Sequence, residues 1–517
     1  MKRAADSTLT LLCLILAILG MALYTLSAAR TGGVGFPLDD SWIHQTYARH
    51  LAQTGTWAFT PGIPSAGSTS PLYTVLLSLG YRLNVPYFLW AMALGAAALT
   101  LGAVVGGRMA RRLFPELPAV SLWTGAALAL GWHLVWAAAS SMETMLFAAL
   151  ALLVIALALS QTDPAAERQR FLAGFLFGVI GAACVATRPE GLVCVGLSGL
   201  AMLIARPQRT LRELGFWLVG GALGGLIGLA PYFALNLSLT GSPFPNTLDA
   251  KLVGNAPLLQ LGFFRNLAAM IEPLTAGGQF LLIPGLLWAC AVLARRLTPR
   301  RVALHALPLV WSAALILLYV VRMPAPFHHG RYVIPALPPI FVLGIGGTFL
   351  LMRWASARRR SLPVRVVGRV LGIGAAALIV VFWGVGASVY GVDVWRINSD
   401  MVVAAQWVQA NVPPDHLLAV NDIGAIGFFA NSVEAPRPIL DLAGLVSPEV
   451  IPLLRNPEGL TALMRARGVR YVMLLPTQWL DFWNGNPAPY EGDFCLRFDA
   501  KGGMGGMRLY EYRPGGC

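Results

Sequence analysis

Leu9-Thr-Leu-Leu-Cys-Leu-Ile-Leu-Ala-Ile-Leu-Gly-Met-Ala-Leu-Tyr-Thr-Leu26, followed a few residues later by Phe36-Pro-Leu-Asp-Asp-Ser-Trp-Ile-His44, decides how this chain is built. The first stretch is apolar over a membrane's width and follows Met1-Lys-Arg, which predicts a helix entering lipid from a basic side. A secretory leader has a shorter apolar core, about 7–15 residues. With many further apolar runs downstream, the first is read as an uncleaved span. The acidic pair Asp39-Asp40 then stands at the far mouth of that span. Behind it comes Pro61-Gly-Ile-Pro-Ser-Ala-Gly-Ser-Thr-Ser-Pro71, long and rich in turn formers. Links between membrane helices are usually short, so this one reads as a site.

Composition supports the membrane reading. The 517 residues are 56% hydrophobic and only 12% charged, with a mean hydropathy of +0.65. Soluble domains carry about 25% charged residues. Barrel strands would alternate apolar and polar positions, and no such alternation appears. The fold class is therefore an α-helical polytopic membrane protein. The net charge of +14 comes from arginines gathered in short gaps between apolar runs: Arg108, Arg111 and Arg112; Arg206, Arg209 and Arg212; Arg295, Arg296, Arg300 and Arg301; and Arg353 to Arg369. That distribution follows the positive-inside bias and suits anionic membrane lipids. It excludes a nucleic-acid footprint, which gathers on one folded face.

Alternating sides from the first span gives further spans near 87–107, 119–138, 143–160, 171–187, 191–205, 214–237, 277–294, 302–321, 333–352 and 370–390, eleven in all. Every arginine cluster then falls inside. Residues 1–390 form the membrane domain, with external loops 29–86, 238–276 and 322–332. Residues 391–517 form an external tail. There the pattern changes to short strands at 417–421, 438–441 and 470–475, alternating with helices near 400–411, 422–427 and 457–467. That order predicts a small parallel α/β layer, with a hairpin from 495–498 to 507–513 across Lys501-Gly-Gly-Met-Gly-Gly506. Cys13, Cys184, Cys194 and Cys290 lie in apolar runs as packing residues. Cys495 and Cys517 sit together in the tail, where a disulfide and two free thiols are equally open.

All the unusual polar residues fall on one side. Adjacent carboxylates repel, so one of Asp39 and Asp40 tends to a raised pKa and suits proton abstraction. In the plain reading Asp40 caps the helix beginning at Ser41. Trp42, Tyr47 and His50 recur on a helical face beside the pair. Lys251 is equally a snorkelling interfacial residue or a phosphate ligand, while His328-His329 reads first as a loop cap, a histidine pair being more often structural than catalytic. Arg331 stands just before a span, Glu143 at a helix start, and Arg188 and Glu190 face each other across a turn. Asp422 and Asp441 read as turn and cap residues. No metal-ligand spacing is present and no cofactor is called for; a divalent cation at the acidic pair is possible but not indicated.

The order of these motifs resembles the GT-C glycosyltransferases, polytopic enzymes that use polyprenyl-phosphate sugars. The matches are the acidic pair with its Pro61–Pro71 loop, Ser141-Met-Glu-Thr144, Arg188-Pro-Glu-Gly191, Pro245-Asn-Thr-Leu-Asp-Ala-Lys251 and His329-Gly-Arg-Tyr-Val-Ile-Pro335. Ala405-Gln-Trp407, Asp422-Ile-Gly-Ala-Ile-Gly427 and Asp441-Leu-Ala-Gly-Leu445 extend them into the tail. The chain is similar to protein O-mannosyltransferases, the lipid A aminoarabinose transferase and mycobacterial terminal arabinofuranosyltransferases. The resemblance implies an inverting transferase of the bacterial cytoplasmic membrane, active on its outer side. It would move a sugar from a polyprenyl-phosphate donor to a glycan, lipid or protein. Asp39 matches the family's catalytic base and Asp40 its orienting neighbour. Lys251 and Arg331, with His328 and His329, match the donor-phosphate positions. Trp42, His44, Tyr47, Glu143, Arg188 and Glu190 would line the cavity or meet the acceptor. The tail lacks the Trp-Trp-Asp signature of whole-glycan transfer to asparagine. A flippase or transporter for a lipid-linked saccharide, and a silent envelope scaffold, are the alternatives. A transporter would show internal repeats and charges at mid-depth, and neither is evident.

Overall fold

The computed structural model describes residues 2–161, 170–206, 210–245, 247–296, 298–357 and 362–517. Arg209, Asn246, Arg358, Arg359 and Arg360 lie outside these, as do the side chains of Arg300 and Arg365. In lipid every backbone polar group must be satisfied within its own segment, and apolar runs become helices for that reason. Among the described residues eight helices are long and apolar enough to cross a membrane, from Ala5–Thr31 to Arg369–Asn411. Val120–Leu130 and Trp132–Ala139, bent by 54°, make a ninth if counted together. The bend falls at Gly131, whose ψ of 111° leaves the helical region. Thr144–Ser160 and Gly191–Ala205 are apolar helices of 17 and 15 residues. At about 1.5 Å per residue each is shorter than the roughly 30 Å hydrocarbon core. All eleven expected segments are therefore helices, while length supports eight or nine as full spans.

Close approach between helices is made by glycine. On Arg170–Thr187 and Leu211–Thr240, a Cβ at Gly174 would overlap the Trp217 carbonyl oxygen, and one at Gly224 would overlap that of Phe175. This is small-residue packing, which replaces hydrophobic drive where lipid tails are as apolar as the helices.

Two features depart from the sequence reading. The loop 238–276 carries two further helices, Thr247–Leu259 and Phe263–Thr275. Each contains a proline, Pro257 and Pro273, which hides a helix from a pattern reading. The tail also has no linker at 391. Leu362–Ile397 passes through a π-helical turn at Asn398–Val402 into Val403–Asn411. No glycine or proline stands between Gly391 and Pro413 to end it. Buried Asp400 holds that turn to the glycine-rich hairpin loop, accepting the Met504 and Met507 N–H groups at 2.7 and 2.9 Å.

The tail sheet runs, edge to edge, Ile439–Asp441, Leu418–Val420, Tyr471–Leu474, Arg508–Tyr512, Phe494–Asp499. The first three strands are parallel, with Ala419 opposite both Leu440 and Val472. The last two form the expected antiparallel hairpin. Cys495 and Cys517 are joined, Cα atoms 5.5 Å apart. A disulfide closing a loop of this size contributes about 3 kcal/mol by chain entropy. Replacing both cysteines by serine is expected to lower the tail's melting point by several degrees, read by differential scanning fluorimetry, with the membrane domain unaffected.

Candidate active site

The helix Asp39–Thr54 opens on the acidic pair, in its first turn, where the helix dipole favours negative charge. Successive helical residues are rotated by about 100°, and the two carboxylates part. Asp40 opens into a cavity of about 400 Å³. Asp39 is buried and turned to the tail, where its carboxylate accepts the Gly424 and Ala425 N–H groups at 2.6 and 2.8 Å. Those are the first residues of the tail helix Gly424–Phe429. Arg49, further along the Asp39 helix, holds its other end, donating to Phe428 and Asn431 carbonyls at 2.8 and 2.7 Å. One helix thus grips another at both poles. Burial and then the nearby Asp422 carboxylate push the Asp39 carboxyl up, against its two backbone donors.

Arg331 meets Asp40 across the cavity, Nη2 to Oδ2 at 2.6 Å, and the Tyr332 hydroxyl at 3.0 Å. Burial alone would raise the Asp40 carboxyl, but the Arg331 guanidinium and then Lys251 hold it well below the usual carboxylate range. Arg331 Nε and Nη1 are buried with no hydrogen-bond partner among the described residues. A buried unpaired donor is costly, and two on one guanidinium, at a cavity also lined by Lys251 and Arg322, have the charge and geometry that an anion could satisfy.

A second polar group lines the same cavity. Glu143 stands 3.3 Å from His44 Nε2 and 3.6 Å from Arg188 Nη1. Arg188 also pairs with Glu190 at 3.1 Å and donates to the Tyr319 hydroxyl at 2.5 Å; Tyr319 in turn donates to Glu190. His44 is backed by Ser68 at 3.2 Å and Thr74 at 3.4 Å. Between the polar groups the wall is apolar, with Leu192, Val193, Leu248, Leu252 and Leu318. The tail adds Leu445, on a turn that Asp441 fixes by accepting the Ala443 and Val446 N–H groups at 2.8 Å each.

The cavity therefore gathers Asp40, His44, Glu143, Arg188, Glu190, Lys251 and Arg331 from the sequence candidates. It does not gather the others. Asp39 caps the tail helix. Trp42 packs among Phe36, Tyr87, Phe428 and Phe429. Tyr47 supports the loop instead, its hydroxyl 2.6 Å from Ser65 Oγ and 2.8 Å from the Gly67 N–H. His329 turns away to Asp393 at 2.7 Å, and His328 is not among the cavity's lining residues. Tyr319 and Tyr332 join the site without having been candidates. Tyr332 stands inside a quoted motif, beside Arg331; Tyr319 ends an apolar run, with nothing to mark it.

Residues 394–510 match the model of a domain of unknown function, DUF8728. No curated protein matches the sequence. Among solved structures, ArnT from Cupriavidus metallidurans in the apo state matches with a TM-score of 0.60 at 17% identity, over 96% of this chain and 97% of that one. The same protein bound to undecaprenyl phosphate gives 0.56 at 17% identity, with the same coverage. The Archaeoglobus fulgidus oligosaccharyltransferase AglB, in complex with an inhibitory peptide and a dolichol-phosphate, gives 0.64 at 12% identity, over 99% of this chain and 75% of that one. The chain shares the fold of these membrane proteins.

Proposed function

We propose that this chain is an inverting glycosyltransferase that moves a sugar from a polyprenyl-phosphate donor to an acceptor outside the bacterial cytoplasmic membrane. The observation that carries the reading is Arg331: a buried guanidinium with two donors unpartnered among the described residues, paired with Asp40 at the head of an apolar-walled cavity. A lipid phosphodiester has the matching halves, an anion for Arg331 and Lys251 and a prenyl chain for the wall of Leu192, Leu248, Leu252 and Leu318. ArnT, of the same fold, has been solved with undecaprenyl phosphate bound. The tail disulfide supports the outer side, because disulfides persist in oxidising compartments.

In the proposed reaction the acceptor hydroxyl attacks the anomeric carbon and passes its proton to Asp40. The carbon–oxygen bond to phosphate breaks, and the lipid phosphate leaves with the electron pair. Arg331 and Lys251 face the negative charge that develops on it. Glu143 and Glu190 are paired with His44, Arg188 and Tyr319, whereas the partner of Asp40 is Arg331, the group proposed to meet the donor phosphate; the base is therefore assigned to Asp40, and a single displacement inverts the centre. Asp40 held by Arg331 is a poor base; a phosphate that draws Arg331 releases it. The donor therefore binds first. Asp39, the residue that matches the family's base, is assigned instead to docking the tail.

The test is saturable binding of undecaprenyl phosphate by the purified chain in detergent, and consumption of undecaprenyl-phosphate hexoses and pentoses. Arg331→Gln and Lys251→Gln are each expected to weaken donor use about 10- to 100-fold, from the roughly 1.5–3 kcal/mol of a charge-assisted contact. Arg295→Gln, in a basic cluster remote from the cavity, should leave it unchanged. No binding and no consumption by the intact protein would remove the proposal and leave the scaffold reading ahead; saturable binding without consumption would put the transporter reading ahead.

A further inference from the structure

The residues that aim Arg331 lie outside the cavity. The chain approaches it through three consecutive left-handed residues, His328 at φ 52°, His329 at φ 58° and Gly330 at φ 71°. Glycine accepts that region freely, while two histidines in succession are strained in it and need outside contacts to stay there. Gly330 is also fixed by space, since a Cβ there would lie 2.9 Å from Pro273 Cβ. At Arg331 the backbone returns to helical angles, φ −46° and ψ −32°.

The outside contacts converge on His329. Its Nε2 meets Asp393 Oδ2 at 2.7 Å. The indole N–H of Trp136 donates to the same carboxylate oxygen at 3.0 Å. The imidazole stands edge-to-face against Trp136 and Trp132, ring centres 5.1 and 5.5 Å away. Asp393 belongs to the long last helix Leu362–Ile397. Neither His329 nor Asp393 lines the cavity. Two residues further on, Arg331 delivers its guanidinium to Asp40 and keeps Nε and Nη1 unpartnered among the described residues. His329 is thus bolted to a membrane helix on one side of the left-handed turn, and Arg331 projects into the cavity on the other.

We infer that His329 and Asp393 are positioning residues for Arg331: their pair holds the left-handed turn that presents the guanidinium's free edge to a lipid phosphate. The inference rests on the reading of Arg331 as the donor-phosphate receptor. Without the pair, the turn relaxes to ordinary backbone angles and Arg331 loses its fixed aim. Outer partners that orient a metal ligand typically change affinity about 10- to 100-fold when removed, and by analogy the lower end is expected for a pair that orients an anion-binding arginine.

The experiment measures the affinity of the full chain in detergent for undecaprenyl phosphate, beside the melting temperature of each variant. Arg331→Gln is the reference for loss of the receptor itself. His329→Ala is expected to bind about tenfold more weakly with the melting temperature little changed. His329→Gln, whose amide N–H can still reach Asp393, should restore affinity to near that of the unaltered protein. A merely structural histidine would shift the melting temperature and leave affinity alone, and that result overturns the inference. If His329→Ala does not fold, the isosteric Asp393→Asn decides by the same measurement: about tenfold weaker binding supports positioning, and unchanged binding overturns it. If Arg331→Gln itself binds as the unaltered protein does, the phosphate-receptor reading fails first, separately from any result at His329.

Discussion

Asp40→Asn is expected to stop sugar transfer while lipid-phosphate binding survives or tightens. The amide keeps the volume of the carboxylate and cannot take a proton, and removal of a general base typically costs about 10²–10⁴-fold in rate. The effect on binding runs the other way. In the unaltered chain Asp40 occupies Arg331 Nη2 at 2.6 Å, and an arriving phosphate must compete for it. With asparagine there, the buried guanidinium loses its counter-charge and the phosphate supplies one. Turnover of a polyprenyl-phosphate sugar, measured beside affinity for undecaprenyl phosphate, separates the two effects. Asp39→Asn is the matched control. Its remaining carbonyl oxygen still accepts one of the two tail N–H groups, and losing the other costs about 1 kcal/mol, so transfer should stay within about tenfold. If Asp39→Asn stops transfer and Asp40→Asn does not, the base is Asp39 and the tail contact is its resting partner.

The contrast between these neighbours marks where sequence stopped informing. Apolar length is a local signal, and the eleven segments it marked are helical among the described residues, eight or nine of them long enough to span, because lipid leaves a chain no other way to satisfy its backbone. The tail strands were legible for a similar reason, each being a short apolar run bounded by turn residues, whereas the register that sets Ala419 opposite Leu440 and Val472 was not. The cavity's polar residues were legible as a set, since all stood at helix ends on one side. Which way each side chain faces was not legible. Asp39 and Asp40 differ by one residue on a helix, and only the partner surfaces, the Gly424 helix for one and Arg331 for the other, separate them. The histidines show the same limit. His328-His329-Gly330-Arg331 reads as a uniform basic cluster, yet a left-handed backbone sends His329 to Asp393 and Arg331 to Asp40. Those angles come from packing against Trp132, Trp136 and Pro273, distant in sequence. The Asp422-Ile-Gly-Ala-Ile-Gly427 motif read as a helix start with no docking partner, because its other half lies nearly four hundred residues earlier at Asp39 and Arg49.

Gly424→Ala is the second large effect expected, because it separates those two halves. A Cβ at position 424 would overlap the Asp39 carbonyl oxygen and lie 2.7 Å from its Oδ2. Both are backbone or held side chain, so relief requires the tail helix to move off the Asp39–Thr54 helix. The move costs the overpacking strain, typically about 1–3 kcal/mol, and the two N–H contacts to Asp39, about 1 kcal/mol each. It also reaches the chemistry, since Asp39 precedes Asp40 and the helix they begin is held from the tail at its first turn. Two measurements are called for. Amide exchange at positions 424 and 425, protected in the unaltered chain by the Asp39 carboxylate, should quicken. Transfer should fall while undecaprenyl-phosphate binding, which the proposed function assigns to Arg331 and Lys251, falls much less. The control is a tail glycine whose added Cβ would touch nothing: Gly468→Ala, at a left-handed helix end with open space around it, should strain only its own turn and leave transfer alone. Unchanged exchange and unchanged transfer in Gly424→Ala would mean that the tail does not set the geometry of Asp40, and the grip of Asp39 and Arg49 on the tail helix would then be a fastening with no part in the reaction.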